Sequence, residues 1–335
     1  MSFRALVADR DDAGQIFSAV RDLDESQLPE GDVVVDVEWA GLNYKDGLCL
    51  TRGGGLVWTY PHVAGIDFAG VVLESLDPRY KPGDRVALTG WRVGEAHWGG
   101  YAERARVKAD WLVPLPAGLS PRQAMIVGTA GLTAMLSIAR LEAAGLAAGQ
   151  GEVLVTGAAG GVGSIAIALL SRLGYTVAAL SGLPEQGGEL RRLGASTIID
   201  RDELLGQAGK PLESARWVAA IDSVGGKVLS KLLKQIKYGG AVAALGNAGG
   251  IALDTNVLPF ILRGVSRLGI DSVMQPFDTR IAIWARIARA FDFASYSDMV
   301  GSIRLDQVPE AANQILAGQI RGRAVVDVRQ SQVLG

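Results

Sequence analysis

The stretch EVLVTGAAGGVG, residues 152–163, decides the fold of this 335-residue chain. An uncharged apolar run at 153–156 enters a glycine-rich turn, and a mostly small and apolar run at 164–173 leaves it. Against the nucleotide fingerprint G-x-G-x-x-G, Ala158 replaces the first glycine, and Gly160 and Gly163 are the second and third. Such a turn lets the backbone approach a pyrophosphate at a helix N-terminus. The pattern predicts a strand, a phosphate-binding turn and a helix, with a purely structural turn as the alternative.

Apolar runs alternate with helical segments from residue 150 to about 273, which predicts a parallel sheet with helices on both faces. Residues 1–126 instead consist of short β segments separated by Gly and Pro. The fold class is therefore α/β, with a β-rich domain at 1–126 and 274–335 and a doubly wound domain at 127–273. The strands predicted in the second domain are 153–156, 176–180, 197–199, 218–222, 241–245 and 268–273.

The charge balance gives no sign of a nucleic-acid or membrane partner. A net charge of −2 offers no electrostatic attraction to either surface. The uncharged run 153–171 is long enough to span a membrane, but its clustered glycines argue against a stable spanning helix. No apolar signal segment follows Met1, and the single cysteine, Cys49, fits a reducing compartment. We expect a cytoplasmic protein that binds neither nucleic acid nor a membrane.

The supply of soft metal ligands is small. Cys49, His62 and His97 are the only cysteine and histidines, whereas a zinc site needs three or four ligands close together. The sequence therefore predicts no metal. Cys49 is expected to pack in the interior, and His97 to be a loop histidine with satisfied hydrogen bonds rather than a catalyst.

Several motifs carry a resemblance to a known family. The chain resembles the medium-chain dehydrogenase/reductase superfamily, in its zinc-free quinone oxidoreductase-like branch. Two further segments, TGWRVGEAHWGG at 89–100 and IDSVM at 270–274, are similar to the acrylyl-CoA reductases. The superfamily motifs are LNYKD (42–46), GIDFAG (65–70), GDRV (83–86), GGYAE (99–103), GTAGLTA (128–134) and the fingerprint itself (157–163).

The resemblance gives the two predicted domains their expected identities. Residues 1–126 and 274–335 would form a GroES-like catalytic domain, and residues 127–273 a Rossmann domain that binds NADP. The family pairs sheet edges of its cofactor domains, and the strand at 267–273 is the candidate edge here. We therefore expect a homodimer.

The candidate catalytic residues are Asn43, Tyr44 and Asp46. The resemblance places Tyr44 beside the nicotinamide, where its phenol would donate a proton or position the ring and the substrate. Asn43 and Asp46 would either take part in the chemistry or orient the turn through backbone hydrogen bonds. Lys45 is expected to be solvated or ion-paired.

The second predicted strand ends at Ser181-Gly182-Leu183, without the carboxylate that NAD-selective folds place there. This favours NADPH. The resemblance implies that Ser181 and Arg201 contact the 2′-phosphate, although the family commonly has arginine where this chain has Leu183. Arg191 and Arg192 are further candidate cations. The complete set of expected cofactor positions is Tyr44, Ala159, Gly160, Gly161, Val162, Ser181, Gly182, Leu183, Arg201, Asn247, Ile261, Ser272 and Gly318.

The implied activity is transfer of hydride from NADPH to the β-carbon of a small α,β-unsaturated acyl-CoA, with acrylyl-CoA giving propionyl-CoA. Simple alcohol oxidation is harder to support, because no Lewis acid would stabilise an alkoxide. Addition to a conjugated double bond moves the negative charge onto a carbonyl oxygen, which hydrogen-bond donors can hold. A quinone or enone reductase and an NADPH-binding protein without turnover are the alternatives.

Overall fold

The computed structural model describes residues 1–51, 55–182, 184–206 and 210–330. The chain divides into two compact units. The first comprises Met1–Thr129, Ser272–Ala288 and Met299–Gly335, and the second Ala130–Asp271 and Arg289–Asp298. The functional domains predicted from the sequence, 1–126 with 274–335 and 127–273, have slightly different bounds and stay a prediction.

Strands predominate up to Pro114, and helices and strands alternate from Pro121 onward. In the part of the chain that the structure describes, the strands are β1 (Ser2–Arg10), β2 (Ile16–Asp24), β3 (Val33–Leu42), β4 (His62–Val63), β5 (Asp67–Ser75), β6 (Arg85–Thr89), β7 (Arg104–Val107), β8 (Leu112–Pro114), β9 (Glu152–Thr156), β10 (Thr176–Ser181), β11 (Ala195–Asp200), β12 (Trp217–Asp222), β13 (Ile236–Ala244), β14 (Ser266–Gly269), β15 (Val300–Arg304) and β16 (Arg323–Asp327). The α-helices are α1 (Tyr44–Thr51), α2 (Pro121–Ala143), α3 (Gly161–Arg172), α4 (Gly187–Arg192), α5 (Arg201–Leu205), α6 (Gly226–Leu233), α7 (Leu258–Arg263), α8 (Phe277–Ala290) and α9 (Val308–Leu316).

The first unit is built on two sheets. One has the strand order β2-β1-β4, and the other β15-β16-β3-β5-β6-β8, with β7 also paired to β3. Side chains alternate between the two faces of a strand, and Val33, Val35 and Val37 of β3 enter one buried cluster with Phe68 and Leu88. This core supports the turn between β3 and α1, where the candidate catalytic residues lie.

The second unit is a parallel sheet in the order β11-β10-β9-β12-β13-β14. This is the doubly wound order in which ligands bind at the carboxyl ends of the strands. Val153, Leu154 and Val155 of β9 are completely buried, as expected of a strand covered on both faces. The predicted α/β fold class is confirmed.

The last strand of that sheet is shorter than predicted. Strand β14 ends at Gly269, so the assignment of residues 270–273 to a strand was wrong. The Ile270 N–H still donates to the Ala244 carbonyl. Beyond it, the Ser272 and Val273 carbonyls accept hydrogen bonds from the Arg280 side chain, which takes the place of a neighbouring strand.

Helix α2 begins with two sequence features typical of a helix N-terminus. The Ser120 hydroxyl accepts from the Gln123 N–H and the Gln123 side chain accepts from the Ser120 N–H, a reciprocal cap followed by Pro121 at the first helical position. Gly128 interrupts the helix with φ +50° and ψ −151°. Among the described residues, α2 is the one helix long and apolar enough to cross a membrane, and 83% of its most apolar window is buried inside the protein.

A buried arginine connects the end of β6 to the segment before α8. Arg280 is 1% exposed. Its guanidinium donates to the carbonyl and hydroxyl oxygens of Thr89 at 2.6 and 2.8 Å. It also donates to the carbonyls of Ser272, Val273 and Gln275 at 2.7–3.1 Å. One side chain thus satisfies acceptors from two backbone segments, the end of β6 and residues 272–275.

Replacing Arg280 with methionine should lower the free energy of unfolding by about 3–5 kcal/mol, because several buried carbonyls would lose their donor. Urea unfolding measures the change. Arg289 lies in the same helix and is exposed, so Arg289→Met should change stability by less than about 0.5 kcal/mol. A loss below about 1 kcal/mol for Arg280→Met would contradict the assigned role.

Candidate active site

The fingerprint turn of the second unit is shaped by close backbone contacts. Gly157 has φ +59°, and a Cβ there would overlap the Ser223 hydroxyl. A Cβ on Gly163 would overlap the Gly157 carbonyl, so α3 packs directly on the end of β9. At Gly160, the N-cap of α3, a Cβ would meet only the Gly157 carbonyl, at 3.3 Å. The backbone there is open to a ligand.

Four predicted cofactor positions lie in this turn. Ala159 and Gly160 precede the helix, and Gly161 and Val162 form its first two positions. Among the described residues, no side chain caps the helix start. Free N–H groups and the positive end of the helix dipole therefore remain for an anion such as a pyrophosphate.

The strand ends beside the turn are fixed by a polar network that the sequence analysis missed. The Thr156 hydroxyl donates to the Asp222 carboxylate at 2.6 Å, and the Gly225 N–H donates to its other oxygen at 2.9 Å. The Ser223 hydroxyl donates to the Thr156 carbonyl at 3.0 Å. Burial raises the pKa of Asp222 above its ordinary value. These contacts hold the carboxyl ends of β9 and β12 together.

Asn247 lies at the neighbouring strand end, as predicted. It follows β13, is exposed, and lines an open cavity of about 350 Å³ with Gly225, Gly226, Gly246 and Arg267. A Cβ on Gly225 would lie 2.9 Å from the Gly246 carbonyl and 3.2 Å from the Asn247 Cα. The glycines therefore keep the two strand ends close, with room for a ligand beside them.

Two of the residues expected at the 2′-phosphate, Gly182 and Arg201, lie close together in the structure. Ser181 ends β10, and a Cβ on Gly182 would lie 3.0 Å from the Arg201 Cζ. The Arg201 side chain is 54% exposed, and its Nε is 3.7 Å from Asp202. Arg191 instead donates to the Ser196 carbonyl. Leu183 lies outside the described residues.

The remaining expected cofactor positions, Ile261, Ser272 and Gly318, lie in three different segments of the chain. Ile261 is 67% exposed on α7 of the second unit. The Ser272 carbonyl, in the first unit, accepts from Arg280. Gly318, with φ +71°, terminates α9 in the left-handed conformation that glycine favours. Their contacts with a cofactor stay predictions.

In the first unit, Tyr44 opens helix α1 and is 41% exposed. Within the described residues, no hydrogen bond reaches its hydroxyl, which leaves the phenol available to a ligand. The neighbouring Lys45 forms an ion pair with Glu95 at 2.9 Å, one of the two roles expected for it.

A buried network holds the turn that carries Tyr44. The Asn43 N–H donates to one Asp46 oxygen at 2.8 Å, and the Ile66 N–H donates to the other at 2.8 Å. The Asn43 amide donates to Asp67 at 3.0 Å and accepts from Arg323 at 3.2 Å. Asp46 and Asp67 are completely buried, and Arg323 is 3% exposed.

The same network reaches several backbone segments. Asp67 accepts from the Gly41 and Thr129 N–H groups, and Arg323 donates to the carbonyls of Leu42, Met125 and Ile126. The sequence analysis named Asn43 and Asp46 but missed Asp67 and Arg323. The quoted motif at 65–70 contains Asp67, whereas no local pattern marks Arg323. Asn43 and Asp46 hold the Tyr44 turn through hydrogen bonds, and a part in the chemistry stays a prediction.

Side chains able to bind metals are dispersed. Among the described residues, no group of three or more His, Cys, Asp or Glu side chains could hold a metal ion. His97 Nδ1 lies 2.9 Å from the Trp98 carbonyl oxygen and Nε2 lies 3.3 Å from the Glu30 carbonyl oxygen, so the nitrogen that carries the proton has an acceptor. Cys49 is buried, and burial raises the pKa of its thiol.

The buried network predicts a pH-dependent stability. Burial, assisted by the charge of Asp67, raises the pKa of Asp46 to about 7. An unfolded aspartate titrates near 3.9, so the folded chain binds more protons between about pH 4 and 7. The contribution of Asp46 to the free energy of unfolding should therefore be present below pH 4 and fall as pH rises through 7, by at most about 1.4 kcal/mol per pH unit.

Asp46→Asn cannot titrate, so its free energy of unfolding should lack the decrease with pH that Asp46 causes. Urea unfolding between pH 5 and 8 measures this pH dependence. Asp278→Asn, an exposed change on α8, is the control and should keep the wild-type slope. Equal slopes for the wild type and Asp46→Asn would contradict the prediction.

Comparison with known proteins identifies the family. Residues 29–117 match the alcohol dehydrogenase GroES-like domain, and residues 161–289 match the zinc-binding dehydrogenase family. The chain is 56% identical to the acrylyl-CoA reductase AcuI of Ruegeria pomeroyi, over 97% of this chain and 99% of that protein.

Two solved structures are similar over nearly the whole chain. The yhdH oxidoreductase from Salmonella enterica in complex with NADP has a TM-score of 0.94 and 52% identity, covering 98% of this chain and 100% of that one. Bacillus subtilis protein yhfP with NAD bound has a TM-score of 0.94 and 44% identity, with coverages of 98% and 100%. The chain belongs to the medium-chain dehydrogenase/reductase superfamily, in the group that includes acrylyl-CoA reductase AcuI.

Proposed function

We propose that the protein uses NADPH to reduce the carbon–carbon double bond of a small α,β-unsaturated acyl-CoA, with acrylyl-CoA giving propionyl-CoA. The observation that carries this proposal is the near-complete match, at 56% identity, to a relative named for that reaction. The open fingerprint turn and the Arg201 side chain beside Gly182 support the cofactor.

The residues present fit NADPH. The backbone at Gly160 and Gly161 would bind the pyrophosphate, because no Cβ blocks it and the helix start is uncapped. Ser181 and Arg201 would hold the 2′-phosphate, for which a guanidinium is a suitable partner. Asn247 would contact the nicotinamide ribose at the cavity it lines. When bound, NADPH supplies the hydride that the β-carbon accepts.

Reduction of a conjugated thioester moves negative charge onto the thioester oxygen, which a nearby hydrogen-bond donor stabilises. The exposed Tyr44 hydroxyl is such a donor, on a turn fixed by Asn43 and Asp46. We propose that Tyr44 positions the substrate and the nicotinamide, and that water supplies the α-proton. No base or second polar group among the described residues contacts the hydroxyl to relay a proton.

Three further properties belong to this proposal. The reaction needs no zinc, so chelators should leave the rate unchanged. The protein works in the cytoplasm, where fractionation should place it.

It is a homodimer paired at β14, whose Ser266, Arg267 and Gly269 are exposed at the sheet edge. Light scattering at micromolar concentration should give twice the 35.1 kDa chain mass, and a monomer would refute the dimer.

A substrate panel tests the reaction. Acrylyl-CoA, crotonyl-CoA, a benzoquinone and a simple enone are compared by kcat/KM with NADPH as reductant. The proposal expects acrylyl-CoA to rank first. A higher value for the quinone or the enone would favour the alternative reductase, and no NADPH consumption with any of them would leave a binding protein.

The cofactor proposal predicts a selective defect. Arg201→Ala should raise the KM for NADPH about tenfold and hardly change that for NADH, because only NADPH carries the 2′-phosphate. Steady-state kinetics with both cofactors measure this. Arg191→Ala is the control and should affect neither, since Arg191 bonds the Ser196 carbonyl. Equal effects of Arg201→Ala on both cofactors would count against a phosphate contact.

The proposed role of Tyr44 predicts a modest defect. Tyr44→Phe should lower kcat/KM by less than about tenfold, with the loss shared between kcat and KM, as for a positioning contact. Tyr238→Phe, an exposed change on β13, should have no effect. A fall in kcat of about 10³-fold at unchanged KM would instead identify Tyr44 as the proton donor.

A further inference from the structure

The loop after β6 has an unusual backbone. Gly90, Trp91 and Arg92 all have positive φ, at +83°, +56° and +59°. A large residue rarely adopts this conformation, and such strain concentrates at functional sites. The Trp91 N–H donates to the Val273 carbonyl at 2.9 Å, and the Arg92 carbonyl accepts from the Glu95 and Ala96 N–H groups. The loop is therefore fixed in the shape that directs the Arg92 side chain.

The Arg92 guanidinium lies over the indole ring of Trp58, 4.1 Å from the ring centroid. Trp58 is 64% exposed, and its N–H donates to the Gly55 carbonyl at 3.1 Å. Within the described residues, no carboxylate forms an ion pair with Arg92. The pair thus combines an exposed, anchored aromatic ring with a half-buried guanidinium that has no carboxylate partner among the described residues.

The exposure of the Trp58 ring distinguishes this pair from another arginine–tryptophan pair, Arg216 and Trp217. Arg216 lies 4.6 Å from the ring centroid of Trp217, but Trp217 is 1% exposed and belongs to the core of the second unit. In that pair the ring serves packing. Trp58 contributes to no buried cluster among the described residues, so its ring is open to a ligand.

The Trp58–Arg92 pair is connected to the proposed catalytic turn within the first unit. Glu95 lies three residues after Arg92 and forms the 2.9 Å ion pair with Lys45, the neighbour of Tyr44. The loop is also the segment, 89–100, that carries the resemblance to the acrylyl-CoA reductases. Through Arg92 and the Glu95–Lys45 ion pair, this loop links the Trp58–Arg92 pair to the turn that carries Tyr44.

We propose that Trp58 and Arg92 bind the adenosine 3′-phosphate end of the coenzyme A substrate, an inference that rests on the proposed acyl-CoA reductase function. The adenine stacks on the Trp58 indole, as bases do on exposed aromatic side chains. The Arg92 guanidinium pairs with the 3′-phosphate, whose oxygens match its planar donors. The pair recognises the nucleotide part of coenzyme A and takes no part in the chemistry at the double bond.

Kinetics with shortened substrates test the assignment. Arg92→Asn keeps a residue that tolerates positive φ, and Trp58→Leu removes the ring. Each should raise the KM for acrylyl-CoA about tenfold, with kcat and the KM for NADPH unchanged. Neither should alter the KM for acrylyl-pantetheine, which lacks the nucleotide. Arg92→Asn should also have little effect on the 3′-dephospho-CoA thioester. Arg216→Gln is the control for loss of an arginine–tryptophan contact and should match the wild type.

A binding experiment separates this proposal from the reaction. Adenosine 3′,5′-bisphosphate is titrated into the protein saturated with NADP, and its dissociation constant is measured by calorimetry. Both variants should weaken binding about tenfold, and Arg216→Gln should not. Unchanged binding in both variants, or equal KM changes for acrylyl-CoA and acrylyl-pantetheine, would overturn the assignment. Failure to reduce any acyl-CoA, with variant-sensitive binding retained, would refute the proposed function alone.

Discussion

The close approach of α3 to the end of β9 governs the nucleotide-binding unit. A side chain at Gly163 would overlap the Gly157 carbonyl, and one at Gly157 would overlap Ser223. Because both positions lack a Cβ, the helix start lies directly over the strand ends, with its N–H groups unused. The Thr156 and Asp222 side chains then tie the neighbouring strand ends together. The proposed pyrophosphate site depends on this packing rather than on any charged side chain.

In the first unit, buried charged side chains hold the turn between β3 and α1 in place. Asp46, Asp67 and Arg323 are all withdrawn from water, which is costly unless each polar atom has a partner. Their partners are backbone groups from β3, α2 and the segment before β5, together with the Asn43 amide. The network thereby holds the start of α1 in place, and Tyr44 is presented from a rigid support. Such preorganisation is what a positioning residue requires.

Local patterns in the sequence predicted much of this structure. The fingerprint glycines and the parallel sheet of the second unit depend on short-range signals, and both appear in the structure. The role of Arg323 could not be predicted, since it meets Asn43 across 280 positions and no local pattern marks it. Residues 270–273 directly follow β14 and were predicted to belong to it. In the structure, the Ser272 and Val273 carbonyls accept from the Arg280 side chain on the following helix, a contact that no strand pattern reveals.

In the proposed reaction, hydride reaches the β-carbon of an acyl-CoA and solvent supplies the α-proton. The most direct test is to reduce acrylyl-CoA with NADPH deuterated at C4 of the nicotinamide, using both stereoisomers, and to locate the label in the product by NMR. The account predicts propionyl-CoA with one deuterium at C3 from one stereoisomer, and label at C2 only when the reaction is run in D₂O. Deuterium from the cofactor at C2, or no labelled propionyl-CoA from either stereoisomer, would contradict it.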